Sequence, residues 1–275
     1  MTSKSILITG CSTGIGYTCA HGMKARGWTV FATARKPDDV ARLNAEGITT
    51  FHLDYMDEAS IHECFARVMA ETGGTLDVLF NNGAYGLLGA VEDIPTDALR
   101  EQFETNFFGW HELTRLVIPK MREQGGGRIV QCSSVLGIVS GMHRGPYAAT
   151  KHAIEAFATS MRMELEPFGV YTSSIRPGPI NTKFMPNALA MLEAKIDLEN
   201  TVHKDDYAAS LKRLNSGPKS SIFKLEPEAV LKKLIHAAEA KKPRAVYSVT
   251  TLTYLADAMR RLLPTRLLDK PLAKG

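Results

Sequence analysis

Cysteine is scarce in this sequence: Cys11, Cys19, Cys64 and Cys132 are the four in 275 residues, widely spaced and with no C-x-x-C pair. Nothing there suggests a metal site, and the spacing fits reduced thiols in a cytoplasmic protein. No stretch approaches the about 18 consecutive apolar residues that a membrane span requires. An apolar strand pattern begins as early as Ser5, which leaves no room for a cleaved signal. A basic block is also missing: the 33 Lys and Arg against 29 Asp and Glu, net +4, are scattered, so nucleic acid is not an expected partner. With 44% hydrophobic and 23% charged residues, the chain is long enough for one domain with a substantial core, and nothing demands two.

What is present begins with K-S-I-L-I-T-G-C-S-T-G-I-G, an apolar run, a glycine-rich turn and then a helical pattern over Ile15 to Arg26. Gly10, Gly14 and Gly16 let backbone N–H groups and a helix N-terminus face a pyrophosphate with no side chain between, and Ser12, Thr13 and Ile15 share that loop. A tight turn with no ligand is the plainer alternative. The second strand, W-T-V-F-A-T-A, ends at Ala34. Arg35 and Lys36 follow where an NAD-binding fold would place an acid for the ribose hydroxyls. An arginine there suits the 2′-phosphate of NADP(H); a solvated turn arginine is the competing reading.

The alternation then continues through a helix from Pro37 to Glu46, the strand I-T-T-F-H-L-D, a helix from Glu58 to Glu71 and the strand L-D-V-L-F-N-N. Such alternation predicts an α/β fold with a doubly wound parallel sheet covered on both faces. Asp54 and Asn82 close their strands at the cofactor edge. A long helical stretch over Thr96 to Glu123 carries T-N-F-F-G in its middle; Asn106 is costly there unless its amide is used, and a kink holding a water, a cap or a packing role all fit. The last cofactor-side strand, V-Y-T-S-S-I-R, runs into Pro177 and Gly178, after which Thr182 can bond the nicotinamide or cap the next segment.

Between the strands R-I-V-Q-C-S and V-Y-T-S-S-I-R lies the run from Ser133 to Lys151. Helix from Pro146 to Glu166 places Tyr147 and Lys151 one turn apart on one face. An ammonium near the phenol favours phenolate and lowers its pKa, which makes the tyrosine an acid or base for a carbonyl–alcohol pair, with Ser134 bonding the same substrate oxygen; a solvated helical lysine beside a half-buried tyrosine is the plainer alternative.

Taken together, T-G-C-S-T-G-I-G at 9–16, Asp54, N-N-G-A at 81–84, Asn106, Ser134, Tyr147 with Lys151, and P-G at 177–178 make the chain resemble the short-chain dehydrogenase/reductase family over residues 5 to 250. The resemblance implies a Rossmann-type fold with Tyr147 as acid/base and Ser134 positioning the carbonyl. It further implies that Lys151 binds the nicotinamide ribose and lowers the Tyr147 pKa, and that Asn106 holds the water of a proton relay. One departure stands out: the family usually reads N-N-A-G where this chain has Asn82-Gly83-Ala84. Within the family, F-x-A-x-x-R-K-P-D-D and the long tail look like bacterial NADP-dependent aldehyde reductases related to retinol and 17β-hydroxysteroid dehydrogenases.

On the substrate side, residues 180–225 lose the strand pattern and become helical fragments with Phe184, Met185, Leu189, Met191, Leu192 and Ile196, the pattern of an apolar lid. These residues either meet a lipophilic substrate or dock the lid on its own core. Tyr85, Met142 and His143 flank the same edge. A helix over Pro227 to Ala240, the strand A-V-Y-S-V and one more helix, T-Y-L-A-D-A-M-R-R-L-L-P, complete a single domain over 1–275. That last helix packs on the subunit, a neighbouring subunit or a membrane surface. The expected protein is thus an NADP(H)-dependent oxidoreductase reducing a small lipophilic aldehyde or ketone, as a homodimer or homotetramer. An oxidative steroid or retinol dehydrogenase and a non-catalytic NADP-sensing protein are the alternatives.

Overall fold

Short apolar runs form the strands because both faces of each are covered: Ile6, Leu7 and Ile8 have no exposed surface, nor do Leu79 and Phe80. The computed structural model describes residues 4–215 and 224–273. Strands β1 (Ser5–Ile8), β2 (Thr29–Ala34), β3 (Thr49–His52), β4 (Val78–Asn81), β5 (Gly127–Cys132), β6 (Val170–Arg176) and β7 (Val246–Ser248) pair in parallel in the order β3-β2-β1-β4-β5-β6-β7. The chain moves outward from β1 to β3, returns to β4 beside β1, and moves outward the other way. With right-handed crossovers, that reversal puts the two sets of helices on opposite faces and opens a crevice at the strand ends between β1 and β4.

The helices are α1 (Gly14–Ala25), α2 (Pro37–Ala45), α3 (Glu58–Thr72), α4 (Thr96–Phe103), α5 (Gly109–Glu123), α6 (Gly145–Leu165), α7 (Phe184–Lys195), α8 (Lys204–Asn215), α9 (Glu228–Glu239), α10 (Thr251–Leu262) and α11 (Thr265–Leu272). Helix α1 packs on α9, and α3 packs on α5. All four cysteines are buried and free. No helix among the described residues is long and apolar enough to cross a membrane.

Three expectations change in detail. The long helix over 96–123 is two α-helices joined by a π turn at Glu104–Phe108, so the kink expected at Asn106 is a one-residue widening of the helix. The lid contributes α7 and α8, and its apolar face mostly docks on its own core: Ala188, Leu189, Leu192, Ile196 and Tyr207 bury against Leu88 and Ala90. Residues 216–223 of the expected lid lie outside the described residues. Its two ends are pinned side by side, since Ile180 bridges Leu225 and Asn181 N–H donates to the Leu225 carbonyl at 2.8 Å. Finally, the tail is two helices where one is expected. Leu263 precedes Pro264, and a residue before proline is pushed out of helical conformation, so α10 stops and α11 starts afresh with Pro264 at its cap.

Asn106 is completely buried, and its amide holds the segment after β4: Oδ1 accepts from Tyr85 N–H at 3.1 Å and Nδ2 donates to the Tyr85 carbonyl at 2.8 Å. Gln102 also donates to that carbonyl, so removing Asn106 strands chiefly the Tyr85 N–H. Asn106→Ala should lower unfolding free energy in urea by about 1–3 kcal/mol, the penalty of one buried unpaired donor. A midpoint equal to wild type would show that the π turn holds this segment without the amide.

Candidate functional site at the C-terminal edge of the sheet

Each strand of the parallel sheet delivers its following loop to the same edge, which gathers residues that are far apart in sequence. After β1 comes the glycine turn. Gly10 and Gly14 have φ of 69° and 62°, and a Cβ on Gly10 would lie 2.4 Å from the Cα of Gly83 after β4. A Cβ on Gly16 would lie 2.3 Å from the Gly10 carbonyl oxygen. These contacts explain the order Asn82-Gly83-Ala84: the two glycines face each other across the β1–β4 crevice, where even a methyl on Gly83 would crowd Gly10 at 3.2 Å. Asn82 Nδ2 donates to the Thr9 and Gly10 carbonyls at 2.9 and 3.3 Å, so its amide holds the glycine turn in shape. Thr13 caps α1 with its backbone alone and the first turn carries no acid, which leaves a helix N-terminus suited to an anion. Ser12 and Ile15 flank it, the Ser12 carbonyl accepting from Arg42 at 2.7 Å.

Arg35, exposed, follows β2, and Lys36 caps α2. Burial, with the Glu101 charge adding to it, pushes the Tyr85 phenol up to about 12, and Arg35 reaches across the edge far enough for its charge to offset part of that rise. Asp54 lies two residues past β3, its carboxylate accepting from Met56 N–H at 3.0 Å. After β6, Pro177 and Gly178 turn the chain. Thr182 lies against Gly14, whose Cβ would stand 3.0 Å from its methyl, while its hydroxyl accepts from Phe184 N–H at 3.2 Å. The capping role and the place beside the glycine turn therefore coincide.

Ser134 leaves β5 in extended conformation, its hydroxyl accepting from Leu136 N–H at 3.0 Å, and Pro146 opens α6 one residue into the helix. Tyr147 and Lys151 then point inward together: the phenol is 8% exposed and the lysine 2%. Lys151 Nζ donates to the Cys132 carbonyl at 2.8 Å and stands 4.4 Å from the centre of the Trp110 ring and 5.6 Å from that of Tyr147. Trp110 donates its indole N–H to the Gly83 carbonyl at 2.7 Å. Sequence reasoning missed Trp110 and the Cys132 carbonyl. A tryptophan four positions after Asn106 was a usable signal; a backbone carbonyl gives none.

The expected direction of the Tyr147 pKa is reversed in this structure. Burial raises it well above the ordinary phenol value, the neighbouring Cys132 adds to the rise, and hydrogen bonding with Ser134 offsets part of it. Desolvation also brings Lys151 down to about 8, so its charge is itself poorly supported and does not dominate the phenol. Asn106 stands one bond further back, its Nδ2 3.4 Å from Thr150 Oγ1, which in turn donates to the Tyr147 carbonyl at 2.8 Å.

Of the residues expected on the substrate side, Phe184 meets Tyr147 with ring centres 5.0 Å apart, and Tyr85 sits half-buried at the same edge. Met142 is half exposed, Met185 packs against the lid core, and His143 turns toward His203 and Tyr207 of the lid. A separate cavity of about 270 Å³, lined by Arg176, Lys233, Arg244 and Arg261 at the β6–β7 end, contains none of these residues.

The buried lysine carries a pH signature. Its folded pKa near 8 lies below its ordinary 10.5, so the unfolded chain binds that proton more tightly between the two values. Wild-type stability should therefore gain on Lys151→Met as pH rises from 7.5 to 9.5, by roughly 1–3 kcal/mol, and lose that gain as pH falls through 8. Urea unfolding of both proteins at the two pH values measures it. A difference independent of pH would mean that Lys151 titrates as it does in water.

Residues 4–193 match the short chain dehydrogenase family. The chain is 40% identical over 267 residues to the uncharacterized oxidoreductase YbbO of Escherichia coli K12, covering 97% of this chain and 93% of that protein. It is 31% identical to the NADPH-dependent 3-dehydrocapnine reductase of Ornithobacterium rhinotracheale over 96% of this chain and 94% of the relative. A crystal structure of a short-chain dehydrogenase from Streptomyces avermitilis superposes with a TM-score of 0.78 at 27% identity, over 95% of this chain and 94% of the other. Fold, edge geometry and relatives agree: the chain belongs to the short chain dehydrogenase family and is an oxidoreductase of CH–OH and C=O groups.

Proposed function

We propose that this protein is an NADP(H)-dependent reductase of lipophilic aldehydes or ketones, with Tyr147 as the proton donor and Ser134 and Lys151 beside it. The observation that carries the reading is the convergence of Ser134, Tyr147 and buried Lys151 at the same sheet edge as a glycine turn packed too closely to admit a Cβ at Gly10 or Gly16. The turn fits a dinucleotide: Gly10, Gly14 and Gly16 clear the way to the α1 N-terminus, which would hold the pyrophosphate. Asp54 would face the adenine, and Thr182 and the Pro177-Gly178 turn the nicotinamide end. When bound, the cofactor supplies the hydride.

The chain's own part is the proton and the orientation of the carbonyl. Ser134 and the Tyr147 phenol hold the substrate oxygen from one side, and burial keeps the phenol protonated until the developing alkoxide takes its proton. Lys151 would serve the ribose hydroxyls with the donors left beyond the Cys132 carbonyl. Asn106 is a positioning residue, since its amide contacts Tyr85 and Thr150. Phe184 against Tyr147 gives the reacting oxygen an apolar wall, which suits a lipophilic substrate. The preference for NADP(H) rests on Arg35 in place of an acid after β2, and the NADPH-dependent relative agrees with it.

Tyr147→Phe should bind NADPH like wild type and lose at least about a hundredfold in turnover of an aldehyde and ketone panel, because the ring stays and the proton is gone. Turnover near wild type would remove Tyr147 from the chemistry. Arg35→Ala should weaken NADPH by roughly tenfold to a hundredfold, the value of about 1.5–3 kcal/mol for one charge-assisted bond, and leave NADH unchanged. Fluorescence titration at fixed salt measures both; equal weakening of the two cofactors would make Arg35 a turn residue only.

A further inference from the structure

Outside the reactive edge, one cluster brings metal-ligating side chains together from separate parts of the chain. His143 lies on the loop into α6, and His203 and Asp206 lie where α8 begins; one donor atom from each falls within 4.8 Å of the others. Asp206 Oδ2 is 4.0 Å from His143 Nε2 and 3.7 Å from His203 Nδ1. Donor atoms around a tetrahedral ion with bonds of about 2.0–2.2 Å stand roughly 3.3–3.6 Å apart, so the set closes when the exposed Asp206 and the two imidazoles draw together by about 1 Å.

The surroundings match what such an ion needs. His203 Nε2 lies 3.0 Å from Glu92 Oε1, so with an ion bound Glu92 would accept from the Nε2–H as an outer carboxylate while Nδ1, 3.7 Å from Asp206 Oδ2, is left for the metal. Asp93, bonded by the Tyr207 and Thr201 hydroxyls at 2.6 and 2.7 Å, has its carboxyl pKa lowered chiefly by the Tyr207 bond, with Thr201 and the two imidazoles adding to it. Three carboxylates around two imidazoles thus leave a net negative pocket whenever the rings are neutral. The His143 carbonyl accepts from Gly89 N–H at 2.9 Å, which anchors that ring's backbone. A second cluster, Glu58, His62 and Glu112, is less suited: Arg115 already grips Glu112 at 2.9 and 2.6 Å, and its charge repels a cation.

We propose that His143, His203 and Asp206 form a binding site for a divalent ion of the zinc class, with Glu92 as its outer carboxylate and water in the remaining position. The ion ties the start of α8 to the loop into α6 at His143, four residues before Tyr147. It is a clamp on the lid, separate from the hydride chemistry, and it does not depend on the substrate assigned above.

The test titrates Zn²⁺ into the chelator-stripped full-length protein against a competing chromophoric chelator and follows thermal unfolding with and without the ion. Wild type should take up one tight equivalent and unfold at a higher temperature with zinc. His203→Gln and Asp206→Asn should lose both effects, and Glu92→Gln, which leaves the three ligands in place, should keep the equivalent with affinity lowered about 10–100-fold. A wild type that takes no zinc from the chelator, or variants that titrate as wild type does, would overturn the site.

Discussion

A lysine ammonium held almost wholly out of water sets the conditions for the rest of this molecule. An ion in that position is tolerated only where polar and aromatic groups stand ready on several sides. The Cys132 carbonyl at 2.8 Å, the Trp110 face at 4.4 Å and the Tyr147 ring do so from β5, α5 and α6. The three elements must therefore keep their relative positions to within a hydrogen bond's tolerance. The π turn contributes to that: it carries Asn106, which bonds both the segment after β4 and Thr150, the residue before the lysine. Burial that strains the ammonium also raises the phenol, so one desolvated compartment fixes both pKa values in opposite directions.

The second constraint is backbone contact across the β1–β4 crevice. Thr9 is its hub: its hydroxyl accepts from Asn82 N–H at 2.9 Å and Gly83 N–H at 3.1 Å, and the Tyr55 hydroxyl lies 2.8 Å away. The Tyr55 hydroxyl is also 3.2 Å from Asn81 Oδ1, and Asn81 Nδ2 donates to Thr114 on α5 at 2.9 Å. Buried polar groups joined in this way are rigid because each partner is lost if any one moves. The chain closes on the ammonium as well, since the Gly83 whose N–H meets Thr9 gives its carbonyl to Trp110.

Much of this was legible in the sequence, for reasons that can be named. Buried strands need unbroken apolar runs, and a positive φ or a close backbone approach needs glycine, so β1, the turn at Gly10 to Gly16 and α1 could be read directly. Tyr147 and Lys151 share a face through helix periodicity, which fixes their direction and not their environment; the fall expected in the phenol pKa failed because spacing carries no information about burial. The π turn was legible only as a weakness at Asn106 and Gly109, since one inserted residue leaves the flanking patterns intact. Pro264 was visible, yet the pattern beyond it was too short to announce α11. The Cys132 carbonyl had no signal, because any residue supplies one.

The lid divides its apolar residues between two tasks, and the division bears on where selectivity lies. Leu189 and Leu192 of α7, with Ile196 just past its end, are committed to Leu88 and Ala90 and to Tyr207 of α8, which fixes the two helices as a unit. Tyr207 strengthens this by accepting from Ala90 N–H at 2.8 Å and donating to Asp93. Phe184, in the first turn of α7, is placed differently: its ring tip would stand 2.8 Å from a Cβ on Gly86, and the ring lies tilted against Tyr147. A larger residue at 86 would have to displace that ring, so the position of Phe184 beside Tyr147 depends on Gly86. Substitutions deep in this core should therefore act on folding of the α7–α8 segment, whereas changes at Gly86 or Phe184 should move the ring that meets Tyr147.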